Sequence, residues 1–161
     1  MLTKTIKVFV LGSIWLMTVG LSSAQVPVEL KMGVTEGDTI RVEISVGTAG
    51  YELPSPISSF QFQVVTLDTT VTFLDLSTAY SLTERDGWTV RANPANGKVG
   101  GFSSSTDAIK EGGTLLTLLF IKQNPCDPFE LGLDIFKLNS GTPAHEPEIP
   151  AFSVSACEEG T

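Results

Sequence analysis

The chain has 161 residues, with 10 Lys and Arg against 18 Asp and Glu, for a net charge of −8, and a single His. A surface this acidic repels phosphate backbones, which excludes nucleic acid as an expected partner. Two Cys and one His cannot supply the four ligands of a structural zinc site.

The N-terminus reads as a secretory signal peptide over residues 1–24. Lys4 and Lys7 give a basic start, Val8 to Leu21 run without a charge, and Ser22-Ser23-Ala24 supplies small residues for cleavage after Ala24. The apolar run of 14 residues is short of the ~20 that a helix needs to cross a bilayer. No second long apolar run follows, so the mature chain is expected to span no membrane. Cleavage removes Lys4 and Lys7, leaving eight basic against 18 acidic residues over positions 25–161. That length suits one domain with its own core. In an exported protein, Cys126 and Cys157 read as one disulfide.

Along the mature chain, short alternating runs are punctuated by Gly, Pro, Asn and Asp. Val26 to Met32 alternates, and after the turn at Glu36-Gly37-Asp38 so does Thr39 to Val46, with Ile40, Val42, Ile44 and Val46 inward. Gly47 to Pro56 reads as a loop. Ser58 to Leu67 is a third strand with Phe60, Phe62 and Val64 inward, and Val71 to Leu76 a fourth. Ser77 to Gly87 carries a helical turn or a loop. Trp88 to Ala92 and Lys98 to Ser103 flank Asn93-Pro94-Ala95-Asn96-Gly97, a hairpin turn in which Asn-Gly meets the positive-φ positions. Ser104 to Gly113 reads as polar loop. Thr114 to Lys122, nearly all apolar, reads as a strand covered on both sides or at a sheet centre; a helix is the competing reading, for which Gly112-Gly113 and Asn124-Pro125 leave little room. Phe129 to Leu138 and Ile149 to Ala156 complete nine strands. The fold class is therefore all-β, at the strand spacing of a β-sandwich or jelly roll.

The chain carries no nucleophile elbow and no phosphate loop. His145 stands in a Pro-rich stretch with no partner nearby, and is read as a solvated loop residue. The acidic turn residues Glu36, Asp38 and Asp68 lack the ligand pattern of a calcium loop and read as solvated turns. The expected function is that of a non-catalytic binding module. The alternatives are a carbohydrate-binding module, with Tyr51, Tyr80 and Trp88 as the aromatic candidates, and more remotely a small glycoside hydrolase built on paired carboxylates.

The ordered set Gly37-Asp38-Thr39, Phe60-Gln61-Phe62, Asn96-Gly97 and Gly113-Thr114-Leu115 with Leu118 and Phe120 resembles the cohesin domain of bacterial extracellular scaffolding systems. The third strand departs from the family pattern at Leu67-Asp68-Thr69, and the YELPSP loop is longer than the compact form. The resemblance implies a free-standing, secreted cohesin-like module with a nine-stranded flattened jelly roll. Its implied partner is a dockerin, a small helical protein that carries calcium itself, and a glycan ligand is kept as the other possibility. No cofactor is implied for this chain, and a monomer is expected. The implied contact face is built from the third, fifth, sixth and eighth strands. Carried over by position, it presents Ser59, Gln61 and Gln63, and Asn93 at the hairpin. On the sixth strand the register leaves Phe102, Ser103 or Ser104 outward, with a core position for Phe102 as the competing reading.

Overall fold

The computed structural model describes residues 25–139 and 146–157. The expected signal peptide and His145 lie outside these residues. Among the described residues, no helix is long and apolar enough to cross a membrane.

Two sheets form the sandwich. The first, in spatial order β1-β2-β9-β5, comprises β1 (Val28–Met32), β2 (Thr39–Val46), β5 (Val71–Ser77) and β9 (Gly113–Lys122). The second, in order β11-β10-β4-β7-β6, comprises β4 (Ser59–Thr66), β6 (Trp88–Asn93), β7 (Lys98–Ser103), β10 (Phe129–Leu138) and β11 (Phe152–Val154). Every pairing between these strands is antiparallel. As expected for the apolar run Thr114–Lys122, β9 lies inside its sheet, between β2 and β5.

The period-2 alternation decides the inner faces. Ile40, Val42, Ile44 and Val46 of β2 are buried, as are Leu116, Leu118 and Phe120 of β9. They meet Phe60, Phe62 and Val64 of β4 and Leu131, Leu133, Phe136 and Leu138 of β10 in one core. Phe120 of the first sheet meets Phe129 of the second edge-on, with ring centroids 5.8 Å apart. Fully burying a side chain of this size contributes about 1.5–3 kcal/mol.

The described residues form eleven strands, where nine are expected from the sequence. The two additional ones, β3 (Glu52–Ile57) and β8 (Ile109–Glu111), arise in segments read as loops and pair with each other. Pro54 and Pro56 hide β3, because proline donates no ladder hydrogen bond and is confined to edges. The pair is bulged between Glu52 and Ile57, and Ile57 lies opposite Ile109, both fully buried. The final strand contracts from Ile149–Ala156 to Phe152–Val154, and the first begins at Val28 instead of Val26. Of the segment Ser77–Gly87, Ser77 ends β5 and the remainder forms turns, held by Ser81 N–H to the Thr78 carbonyl at 3.1 Å and Glu84 N–H to the Ser81 carbonyl at 3.2 Å.

Cys126 and Cys157 form the expected disulfide, with Cα atoms 4.8 Å apart. It ties the β9–β10 connection to the segment after β11. At the same end Lys122, 6% exposed, pairs with Asp68 at 3.0 Å and donates to the Asp127 carbonyl at 2.9 Å.

Candidate functional site: the outer face of the five-stranded sheet

The outward side chains of the second sheet form a grid set by strand register. Across β4 and β7, Ser59 lies opposite Phe102, Gln61 opposite Gly100 and Gln63 opposite Lys98. Across β7 and β6, Phe102 lies opposite Thr89, Gly100 opposite Arg91 and Lys98 opposite Asn93. On the other side of β4, Lys137 lies opposite Gln61, Asp134 opposite Gln63 and Gly132 opposite Val65. This face holds a shallow depression of about 990 Å³, lined by Gln61, Gln63, Arg91, Lys98, Phe102 and Ile135 among others.

Of the seven residues selected from the sequence, five line this face and two do not. Ser59, Gln61, Gln63 and Asn93 line it. Gln63 Nε2 donates to the Asn96 carbonyl at 2.9 Å, which draws its side chain toward the hairpin. The hairpin is held by Asn93 Oδ1, which accepts from Ala95 N–H at 3.1 Å, and Asn96 Oδ1, which accepts from Lys98 N–H at 3.0 Å. Phe102 points outward and is 61% exposed. Ser103 alternates to the other side, its Oγ donating to the Ser104 carbonyl at 3.0 Å. Ser104 lies past the end of β7, where its Oγ donates to Asp107 Oδ2 at 2.6 Å, so it is not on the strand face.

The phase at Phe102 is decided by Gly101. A Cβ there would stand 2.6 Å from the Phe60 ring, so the ring occupies the inner space that a side chain would fill. Phe60 also stacks on Trp88, centroids 5.9 Å apart, and the Trp88 indole N–H donates to the Asp107 carbonyl at 2.7 Å.

Ile135 is the residue that the sequence analysis missed. Between Asp134 and Lys137, β10 is bulged against β4. Ile135 sits in the bulge with φ of 53° and is 65% exposed on the outer face. A left-handed conformation costs about 1–2 kcal/mol for an L-residue, and a β-branched one tolerates it poorly. The signal was present in the spacing. Buried positions run Phe129, Leu131, Leu133 and then Phe136, Leu138, and the single three-residue step marks the extra residue.

The charge on this face is divided. β6 and β7 carry Arg91 and Lys98 and no acid, while β10 carries Glu130 and Asp134. Lys137 is held at 3.0 Å by Glu146.

The aromatic candidates for a glycan strip are dispersed. Tyr51, 71% exposed, precedes β3, and Tyr80, 97% exposed, lies in the β5–β6 turns. Trp88 is packed against the core. The acidic turn residues are also apart: Glu36 accepts from Arg41 at 3.0 Å, while Asp68 accepts from Thr70 Oγ1 at 2.7 Å. Among the described residues, no three His, Cys, Asp or Glu side chains are grouped to hold a metal ion.

No protein-family model and no curated protein matches the sequence. Solved structures do match the fold. The third cohesin of ScaC from Acetivibrio cellulolyticus, solved in complex with the ScaB dockerin, superposes with a TM-score of 0.59 at 17% identity, covering 82% of this chain and 100% of that one. The cohesin module of a family 33 glycoside hydrolase from Clostridium perfringens gives 0.56 at 13% identity, covering 81% and 94%. A non-cellulosomal cohesin from the archaeon Archaeoglobus fulgidus gives 0.52 at 13%, covering 80% and 89%. The ordered motifs in the sequence and the architecture of the two sheets thus lead to the same result: this chain has the cohesin fold.

Proposed function

We propose that this protein is a secreted, non-catalytic module that binds a dockerin-type helical protein on the outer face of the five-stranded sheet. The observation that carries the reading is the composition of that face. Two exposed apolar side chains, Phe102 and Ile135, stand among the hydrogen-bonding groups Gln61, Gln63 and Asn93. An apolar anchor ringed by polar groups is the usual anatomy of a protein-binding patch. The likeness to a cohesin solved with its dockerin supports the class of partner. The Cys126–Cys157 disulfide supports an oxidising compartment.

The test is calorimetric titration of the purified chain against the dockerin modules encoded by its source organism. Binding of at least one, lost on changing Phe102, is the expected result. A chain that binds none of them would overturn the reading.

A further inference from the structure

Of the eleven described glycines, nine have a reason within the fold. Six have positive φ. At the other three a Cβ would crowd its neighbours: 3.0 Å from Arg41 Cβ at Gly33, 2.6 Å from the Phe60 ring at Gly101, and against the Thr48 backbone at Gly112. Gly100 and Gly132 have neither reason. A Cβ on Gly100 would meet only the Phe60 carbonyl at 3.6 Å, and one on Gly132 only Val65 atoms at 3.8 and 3.9 Å, all ordinary contacts. Glycine in a strand interior weakens it unless another backbone approaches closely. Both residues lie on the same outer face, in β7 and β10, on either side of β4.

A third residue on this face also works against the fold. Ile135, in the bulge of β10, holds a left-handed backbone with an exposed apolar side chain. Backbone strain of this kind clusters where a site is shaped for a ligand.

We propose that Gly100, Gly132 and Ile135 are set by the partner and not by the fold: the two bare positions let a partner helix lie close against the sheet, and Ile135 is its apolar anchor. This rests on the dockerin-type reading above. By register, Gly100 lies beside Gln61 and Gly132 beside Val65, so the line between them crosses β4 diagonally at Gln63. That line is roughly 16 Å long from strand spacing and rise, the length of about three helical turns. Arg91 and Lys98 border its β6–β7 end without an acid on either strand, in a protein with net charge −8. The partner helix therefore presents carboxylates at that end.

The experiment uses the full secreted chain as wild type, Gly100→Ala, Gly132→Ala, Ile135→Asn and Gly101→Ala. The probe is the tightest-binding dockerin module from the titration above. The first three variants are expected to melt at or above the wild-type temperature and to bind at least tenfold more weakly. Gly101→Ala is expected to melt lower, because its Cβ meets the Phe60 ring. Wild-type binding with equal binding by the three variants, or loss of their thermal stability, overturns the inference alone. A wild type that binds none of the modules removes the underlying reading and this occupant with it.

Discussion

Lys122 Nζ, at the end of β9, stands 3.0 Å from Asp68 Oδ2 in the β4–β5 turn, and Asp68 in turn accepts from both the backbone and the side chain of Thr70. The Thr70 hydrogen bonds, with Lys122 beside them, hold the Asp68 carboxyl down at about 2 from an ordinary 3.8. A carboxylate depressed in the folded state contributes stability that is complete above its unfolded value and is lost as pH falls through the folded one. The melting temperature is therefore expected to fall between about pH 4 and pH 2. Asp68→Asn should lower it at neutral pH and flatten that acid limb. Parallel slopes in the two proteins over this window would argue against the assignment.

The disulfide joins residues 31 positions apart. Closing a loop of that length removes chain entropy worth roughly 3–4 kcal/mol from the unfolded state. The Cys126→Ser, Cys157→Ser double variant is expected to lose about that much in urea unfolding, and reduction of the wild type should reproduce the loss.

Asn139 fastens the end of β10 to the β3–β4 turn. Its Oδ1 accepts from Ser58 N–H at 2.8 Å and Ser58 Oγ at 3.1 Å, and its Nδ2 donates to the Pro56 carbonyl at 2.9 Å. Its φ of 61° is one that asparagine tolerates. Asn139→Ala leaves these groups unpaired in a half-buried place and is expected to cost about 1–3 kcal/mol. Asn139→Gly keeps the backbone conformation and should separate the backbone part of the loss from the hydrogen bonds, measured by denaturant midpoint.

Phe102 contributes little to folding, because most of its ring is in solvent. Phe102→Ala should change stability by no more than about 0.5 kcal/mol. On the proposed binding reading it should weaken the dockerin-type partner by about 2 kcal/mol or more, the scale of an aromatic hot spot. Equal affinity of variant and wild type in calorimetry would remove Phe102 from the contact.

Arg91 and Lys98 predict salt dependence. Added salt screens exposed charges over a Debye length of about 10 Å at 0.1 M. The association rate with an acidic partner is expected to drop as salt rises, and to lose that dependence in Arg91→Ala, Lys98→Ala. A dissociation rate that carries the whole effect would contradict this assignment.

The strands that were legible in advance are those whose chemistry is local. Thr39–Val46 and Ser59–Thr66 declare their buried faces by alternation, and Asn96-Gly97 declares the hairpin between β6 and β7. β3 was hidden by its two prolines, and β8 by its three-residue length; each exists only because the other is there to pair with. At Val99-Gly100-Gly101-Phe102 two successive glycines leave no side chain to show the phase. The phase is decided by Phe60, which fills the space beside Gly101, and by the Ser59–Phe102 register.

By itself the sequence determined an acidic, all-β chain, the identity of its inward aromatics and the cysteine pair available to staple it. All of these rest on composition or on a period of two that each strand carries within itself. Tertiary structure decided which side of β7 presents Phe102, that β10 slips by one residue to turn Ile135 outward, and that Gly100 and Gly132 share one face. Those are relations between strands distant in the chain. A glycine or a bulge interrupts the local alternation, and cross-strand packing then selects the face.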